Sequence, residues 1–233
     1  MDYIYIDPPK PTLARWRRLY RDFPGNSDLR AMEYETLSAM PLSGRVLDVG
    51  GGREARYIPY LPKGIDLESV NIDPAIDPTH IITPGQPFPL PDNSFDAAVC
   101  LNTLEHVYDG LAVLREIHRV LKPGGTVYVT VPFIFRIHAH PDDYFRATPS
   151  WWRETFDRAG FASLSLKPLI WGRRTTAFSV SGGMGPARRL SFHAAHALDW
   201  LYAALTVRGT TYSGKRGQRI CAVSPGWFLT GTK

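Results

Sequence analysis

Cysteine is nearly absent from this chain of 233 residues: there are two, Cys100 and Cys221. Both sit inside apolar runs that read as strands, where a thiol behaves as a small buried hydrophobe, so a disulfide framework and a cysteine metal site are not expected. Long apolar runs are missing too. No uninterrupted stretch approaches the length that spans a bilayer, and the N-terminus, MDYIYIDPPKPTLARWRR, lacks the basic-then-apolar order of a secretory signal. The chain therefore reads as cytoplasmic, without a transmembrane segment. Charge of one sign is also scarce: 27 basic against 22 acidic residues leave a formal net charge of +5, with the basic residues gathered mainly at Arg15 to Arg21 and in the C-terminal third. An excess that small does not point to a polyanionic partner. With no internal repeat, low-complexity tract or long linker, residues 1–233 are expected to form one domain around a substantial core.

What the chain has instead is a rhythm of short apolar runs and amphipathic stretches. Residues 1–25 are rich in Pro, Arg and aromatics without a clear period, and read as an arm. Leu29, Met32, Leu37 and Met40 then recur at helical spacing, with Ser27 or Asp28 able to cap the first turn. Runs of strand length follow at Arg45 to Val49, Ser69 to Ile72, His80 to Ile82, Phe95 to Leu101 and Gly125 to Val131. Before the last of these, Leu111, Leu114, Ile117, His118 and Leu121 mark one face of a helix that Pro123-Gly124-Gly125 stops. A helix from Pro149 to Ala159 ends at Gly160. Phe161 to Ile170 and Gln218 to Val223 supply two last strands, flanking an insert at about residues 171–216 that is helical from about Pro186 to Val207. Alternation of this kind predicts an α/β fold with a mostly parallel sheet covered on both faces.

The segment RVLDVGGGRE, Arg45 to Glu54, is a strand that ends in a carboxylate and the glycines Gly50, Gly51 and Gly52. Glycines let the backbone turn sharply and approach a ligand closely. Gly50, Gly52 and Ala55 satisfy the looser form of the dinucleotide fingerprint, and Asp73 follows about 20 residues on, where a carboxylate holds ribose hydroxyls. Asp48 decides between ligands. A carboxylate just before the turn crowds a pyrophosphate but suits a ligand carrying an amino group and a sulfonium cation, directly or through water, which favours S-adenosylmethionine over NAD.

Four segments, in order, make the stretch from about Val46 to Phe161 resemble the class I S-adenosylmethionine-dependent methyltransferases, in particular the methyltransferase type 11 group. They are DVGGG (Asp48 to Gly52), VNIDP (Val70 to Pro74), FPLPDNSFDAAVCLNTLEHV (Phe88 to Val107) and LREIHRVLKPGGTVYVTVP (Leu114 to Pro132). The resemblance implies a Rossmann-like doubly wound sheet of seven strands, the last antiparallel, with the cofactor across the C-terminal ends of the first, second and fourth. It also implies that Asp73 binds both ribose hydroxyls and that Leu101 and Asn102 flank the cofactor. One departure concerns the adenine. The group usually carries an Asp soon after the third strand, whereas this chain reads IITPGQPFPLP from Ile81 to Pro91, leaving Gln86 or a backbone carbonyl to take that place.

Methyl transfer is an in-line displacement at an already activated carbon, so a protein must chiefly align the nucleophile and exclude water. The segment PFIFRIHAHPDDYFRATPSWW, Pro132 to Trp152, follows the fifth strand at the sheet edge where α/β folds bind ligands, and is the expected acceptor wall. His106, His138 and His140 are candidate general bases, with Asp142 or Asp143 able to orient an imidazole. The same residues could equally hold a long loop together. Arg136 and Arg146 could clamp an anionic acceptor or pair with Asp142 or Asp143. His138, His140 and Asp142 alternate along an extended segment and could converge as metal ligands, but alternation in a loop is poor evidence and no metal is assigned. The histidine-rich stretch is similar to the loop of type 11 members that accompany sugar and polysaccharide biosynthesis, which implies a saccharide or other small hydroxylated acceptor and O-methylation.

Two other readings stay open. An RNA or other nucleic-acid methyltransferase is favoured by the Arg15-Trp16-Arg17-Arg18 cluster but opposed by LNTLEH after the fourth strand, where exocyclic-amine methylases carry Asn/Asp-Pro-Pro-aromatic. Asp7-Pro8-Pro9 resembles that motif but precedes any expected sheet strand. The third reading is a non-catalytic cofactor-binding subunit. Its contact would be the late helix, where Leu190, Ala194, Ala197, Leu198, Leu201 and Leu205 form a stripe able to pack on its own domain, cover the acceptor site, build a homodimer or touch a membrane surface.

Overall fold

The computed structural model describes residues 1–138, 141–182 and 187–233. In chain order its elements are β1 (Ile4–Tyr5), α1 (Leu13–Asp22), α2 (Asp28–Leu37), β2 (Arg45–Val49), β3 (Asp66–Asn71), β4 (His80–Ile81) and β5 (Phe95–Leu101). Then come α3 (Gly110–Val120), β6 (Leu121–Pro132), α4 (Pro149–Ala159), β7 (Ser163–Leu169), α5 (Arg173–Ser181), α6 (Arg188–Thr206), α7 (Gly214–Cys221) and β8 (Gly226–Thr232). The strands form one sheet in the order β1-β7-β8-β6-β5-β2-β3-β4. β8 runs antiparallel between β6 and β7, and the other neighbours pair in parallel.

Two-residue alternation along the central strands divides their side chains between two cores. Leu47, Ala98, Cys100, Val127, Val129, Trp227 and Leu229 face one side, where Leu114, Ile117 and Val120 of α3 and Trp152 and Phe156 of α4 cover them. Val46, Ala97, Val99, Tyr128 and Phe228 face the other, under Leu19 and Phe23 of the α1 region and Leu29, Met32 and Leu37 of α2. Local signals start α2 and stop α4 as expected, whereas α2 ends at Leu37, short of Met40, and α3 ends at Val120, with Leu121 and Pro123 to Gly125 already in β6. The Ser27 hydroxyl accepts the Arg30 amide N–H at 3.3 Å, and Gly160, at φ +98°, ends α4. The Rossmann-like, doubly wound arrangement and the antiparallel last strand are as the sequence implied.

Several expectations are corrected. The sheet has eight strands, because β1 in the N-terminal arm adds in parallel beside β7, so Asp7-Pro8-Pro9 follows a strand instead of preceding all of them. The arm also contains α1, whose first turn is capped by the Thr12 hydroxyl accepting from the Arg15 N–H at 3.0 Å. Gln218 to Val223 is not a strand: the segment through Cys221 is the second half of α7, with Ile220 and Cys221 packed in a third small core beside Ile170, Ala203, Val207 and Tyr212. The last strand lies further on, at Gly226–Thr232. A run as short as RICAV does not distinguish helix from strand by periodicity, whereas β8 pairs over seven residues with β6 and over seven with β7.

Of the roles open to the late helix, packing its leucine stripe on the domain is not the one the structure shows. Leu190, Leu198, Leu201 and Leu205 are exposed, and the face turned inward carries His196, Asp199 and Ala203. Asp199 accepts the Arg174 and Thr175 amide N–H groups at 3.2 and 2.9 Å, satisfying the start of α5, and the His196 imidazole stacks on Trp16 while bonding Asp28 at 3.0 Å. Polar groups with partners dock this helix, and the leucines stay outside. Among the described residues no helix is long and apolar enough to cross a membrane.

Replacing Leu114, which is fully buried, by Ala is expected to lower the unfolding free energy by about 2–5 kcal/mol. Leu205→Ala, at a position 76% exposed, should change it by less than about 0.5 kcal/mol. Urea denaturation of both variants checks the pair, and a large loss from Leu205→Ala would contradict the outward face of α6.

Candidate functional site

β2 lies between β3 and β5, parallel to both, so the three chains leave the sheet at the same edge. Val49 pairs with Val70 and Asp48 with Val99, which places the glycine turn beside the segments after Asn71 and Leu101. The turn is held from both sides. Asn71 Nδ2 donates to the Gly50 carbonyl at 2.6 Å, and Thr103 Oγ1 donates to the Val49 carbonyl at 3.2 Å. Gly50 has φ +89°, in the region that favours glycine. A Cβ at Gly51 would stand 1.9 Å from Asp48 Oδ2, and one at Gly52 would stand 2.1 Å from the Ile76 carbonyl oxygen. The protein's own packing therefore already requires glycine here, before any ligand is considered.

Asp48 is fully buried under this turn and accepts from the Tyr57 hydroxyl, which lies 2.8 Å from each carboxylate oxygen. Burial pushes its pKa up to about 7, opposed by the Tyr57 hydrogen bond. Nothing in the sequence singles out Tyr57. It stands nine residues after Asp48, and no motif spacing marks it. Asp73 sits just beyond β3, half-buried, with Oδ1 accepting the Ala75 N–H at 2.8 Å and its own N–H donating to Asn71 Oδ1 at 2.9 Å. Its Oδ2 makes no hydrogen bond among the described residues, and the exposed Ile72 precedes it. Asp48, Gly50, Gly51, Gly52 and Asp73 thus gather at adjacent strand ends.

Leu101 is buried at the end of β5, and Asn102 follows with φ +51°. The Asn102 side chain points inward. Its Nδ2 donates to Glu33 at 2.9 Å from each oxygen and to Thr130 Oγ1 at 2.9 Å, so it ties α2 to β5 and β6. Glu33, which no motif marks either, is fully buried, and burial raises its pKa against the nearby Arg30. Gln86 is exposed in the turn Thr83–Gln86 after β4, where its N–H donates to the Thr83 carbonyl at 3.1 Å. β4 pairs in parallel with β3, so the turn that carries Gln86 follows from the same edge of the sheet as Asp73.

The next turn, Leu104–His106, carries Glu105, another buried carboxylate without a sequence signal of its own. Both of its oxygens are buried without a side-chain hydrogen-bond partner among the described residues, and desolvation pushes the carboxyl pKa up to about 8. Two predicted histidines face it: His106 Nε2 lies 3.8 Å and His138 Nε2 3.9 Å from Glu105 Oε1. The imidazole rings meet edge to face at 5.2 Å. His106 Nδ1 is 2.5 Å from the Asp142 carbonyl oxygen, which can only accept, so the Nδ1 proton is fixed there. The His138 backbone N–H donates to Asp143 Oδ2 at 2.9 Å.

Asp143 also pairs with Arg146, which holds its carboxyl down at about 2. The alternative of an Arg146 ion pair within the loop is the one the structure adopts. Asp142 orients His106 through its backbone, and its side chain accepts from the Tyr144 hydroxyl at 3.2 Å. Arg136 is exposed and lies over the Phe135 ring. His140 falls outside the described residues. A separate cavity of about 150 Å³, between α1, α2 and α6, is lined by Trp16, Phe23, Met32, Trp171, Phe192 and His196, none of them from the loops after β2, β3 or β5.

Comparison with known proteins bears on this edge of the sheet. Residues 47–129 match the model of a family described as a methyltransferase domain. A ubiquinone biosynthesis O-methyltransferase of Xanthomonas campestris pv. campestris is 39% identical over 62 residues, 27% of this chain and 24% of the relative. A demethylmenaquinone methyltransferase of Renibacterium salmoninarum is 32% identical over 126 residues, 49% of this chain and 46% of the relative. The chain thus spans about a quarter to a half of the length of these relatives. A SAM-dependent methyltransferase of Thermotoga maritima superposes with a TM-score of 0.52 at 18% identity, covering 94% of each chain, and shows the shared fold. The names of these two curated relatives refer to quinones, so the sugar and polysaccharide association expected from the histidine-rich loop finds no support here.

The Asp48 environment generates a pH prediction. Its folded pKa lies above the ordinary value of 3.8, so its contribution to stability is complete below about pH 4 and is lost as pH rises to about 7. The stability of Asp48→Asn relative to the parent protein should therefore increase between about pH 4.5 and 7.5, by on the order of 2–4 kcal/mol. Denaturant unfolding of both proteins at each pH measures this difference, and a flat difference would place Asp48 in a solvated setting.

Proposed function

We propose that this chain, whose fold is that of the class I S-adenosylmethionine-dependent methyltransferases, transfers the cofactor's methyl group to an oxygen of a small hydroxylated acceptor. The observation that carries the cofactor reading is the placement of Asp73 at the end of β3 beside the glycine turn that ends β2. One carboxylate oxygen there is engaged by the Ala75 N–H and the other is open to a ribose hydroxyl. The apolar surface of Ile72 next to it suits the face of a purine, and the turn supplies backbone at short range. Asp48 beneath the turn would ionise as an ammonium group arrives and contact it through water, because Tyr57 already lies against both of its oxygens.

When bound, S-adenosylmethionine supplies a methyl carbon already activated by sulfonium, so the acceptor oxygen forms the new C–O bond while the C–S bond breaks and its electron pair passes to sulfur. The chain's own residues orient the acceptor and take up its proton. His106 and His138, whose Nε2 atoms face Glu105 with Phe135 edge to face on the His138 ring, are the candidates to take up that proton. The quinones in the names of the relatives support a small aromatic or phenolic acceptor over a polymer. His140 remains a third candidate base.

Calorimetric titration with S-adenosylhomocysteine should show binding to the parent protein, weakened by roughly 1.5–3 kcal/mol in Asp73→Ala through the loss of charge-assisted hydrogen bonds. Unchanged affinity in that variant would refute the ribose assignment. With labelled methyl donor and a panel of phenols, His106→Gln should retain cofactor affinity while losing roughly 10²-fold in turnover. Label transferred to RNA and to no small molecule would reverse the acceptor class.

A further inference from the structure

We propose that Glu105, His106 and His138 form a binding site for one divalent first-row transition-metal ion of the zinc or manganese type. The ligand atoms of the three residues all lie within 4.8 Å of one another, and the two imidazole Nε2 atoms are 3.8 and 3.9 Å from the same Glu105 oxygen. Donors bound to one ion at about 2.0–2.2 Å in tetrahedral geometry stand roughly 3.3–3.6 Å apart. A displacement of a few tenths of an ångström brings the two carboxylate–imidazole separations to bonding spacing, and a rotation of one imidazole closes the remaining gap.

The carboxylate is an independent sign of a missing partner. Glu105 is 1% exposed, neither of its oxygens accepts a hydrogen bond, and no arginine or lysine comes within 4.0 Å among the described residues. Arg146 is the basic residue of the same loop, yet its terminal nitrogens are occupied by Asp143 and the Phe145 carbonyl. A buried carboxyl with no hydrogen-bond partner among the described residues either stays protonated or is neutralised by a bound cation, and the imidazole nitrogens at 3.8 and 3.9 Å supply co-ligands for the second outcome.

The imidazoles are poised as metal ligands are. A ligating histidine usually donates its second ring N–H to a carbonyl or carboxylate, which fixes the tautomer and aims the other lone pair. His106 Nδ1 donates to the Asp142 carbonyl at 2.5 Å. His138 Nδ1 lies 3.3 Å from the Arg136 carbonyl oxygen and 3.5 Å from Asp143 Oδ2, both acceptors. Arg146 Nη2 is also 3.4 Å from that nitrogen, but it sits 2.6 Å from Asp143 Oδ2, to which it donates. Both Nε2 atoms are left to face Glu105.

Two nitrogens and one oxygen suit zinc, manganese, iron(II) or nickel better than calcium or magnesium, which take oxygen ligands. Three protein donors leave coordination positions for an exogenous oxygen. Glu105 and His106 follow Thr103, which braces the glycine turn, so the ion stands on the loop where an acceptor would enter. The inference rests on the function proposed above for what the ion does there. An acceptor hydroxyl bound to it loses its proton more readily and presents oxygen to the methyl carbon. The set differs from His138, His140 and Asp142, which alternate in the sequence, because the Asp142 carboxylate turns to Tyr144 and Glu105 arrives from the neighbouring loop.

The full chain, stripped with chelator and freed of it by dialysis, is titrated with Zn²⁺ by calorimetry and with Co²⁺ by visible absorption. One ion per chain is expected, with an absorption spectrum of a low-coordinate nitrogen and oxygen site. His138→Ala and the isosteric Glu105→Gln should each weaken Zn²⁺ binding by about tenfold or more, as loss of a ligand or its supporting partner does, while His193→Ala on the exposed side of α6 leaves it unchanged. Circular dichroism of each variant establishes that it is folded. Failure of the folded parent protein to bind stoichiometrically, or equal affinity in the parent, His138→Ala and Glu105→Gln, overturns the proposal. S-adenosylhomocysteine titration of the same samples separates the two readings: metal binding without nucleoside binding supports the ion site and defeats the methyl-transfer reading, and the reverse overturns the ion site alone.

Discussion

The parallel register of β2 between β3 and β5 is the constraint from which the site follows. Strands that run the same way end at the same edge, and their connections must begin there. Asp48, the glycine turn, Asp73 and Asn102 are spread along the chain, but each lies close to the end of a central strand. The register is supported from both faces, by Leu47 and Ala98 packed under α3 and α4 and by Val46 and Val99 under α2. A slip of one residue would exchange these faces and turn Asp48 into the opposite core.

Around that edge the protein buries three carboxylates and treats each differently. Asp48 receives the Tyr57 hydroxyl, Glu33 receives Asn102 and Arg30, and Glu105 receives nothing from the described residues. Desolvation pushes all three carboxyl pKa values upward. Burial thus favours the neutral form of each carboxyl, and a cation arriving beside one would favour its ionised form, which is consistent with a sulfonium cofactor at the glycine turn and with the metal ion proposed for the adjoining loop.

The segment after β7 shows the same preference for satisfied polar contacts. α6 meets the domain through Asp199, which completes the start of α5, and through His196 between Trp16 and Asp28. Its leucines remain outside because the inward positions are committed to hydrogen bonds. The apolar stripe in sequence thus identified the helix, while the face that meets the domain is a polar one.

By itself, the sequence determined the alternation of strands and helices, the glycine turn after Val49, the carboxylate after β3 and the histidine-bearing loop after β6. Each of these is written in local periodicity or in residues close along the chain. Tertiary structure decided the rest. Whether the segment ending at Cys221 is helix or strand depends on the slot between β6 and β7, which Gly226–Thr232 fills with two seven-residue ladders. The partners Tyr57, Glu33 and Glu105 acquire their meaning through burial and distance across elements, Glu33 being 69 residues from Asn102. No spacing rule carries such relations, because a buried carboxylate is defined by what surrounds it and not by its neighbours in the chain.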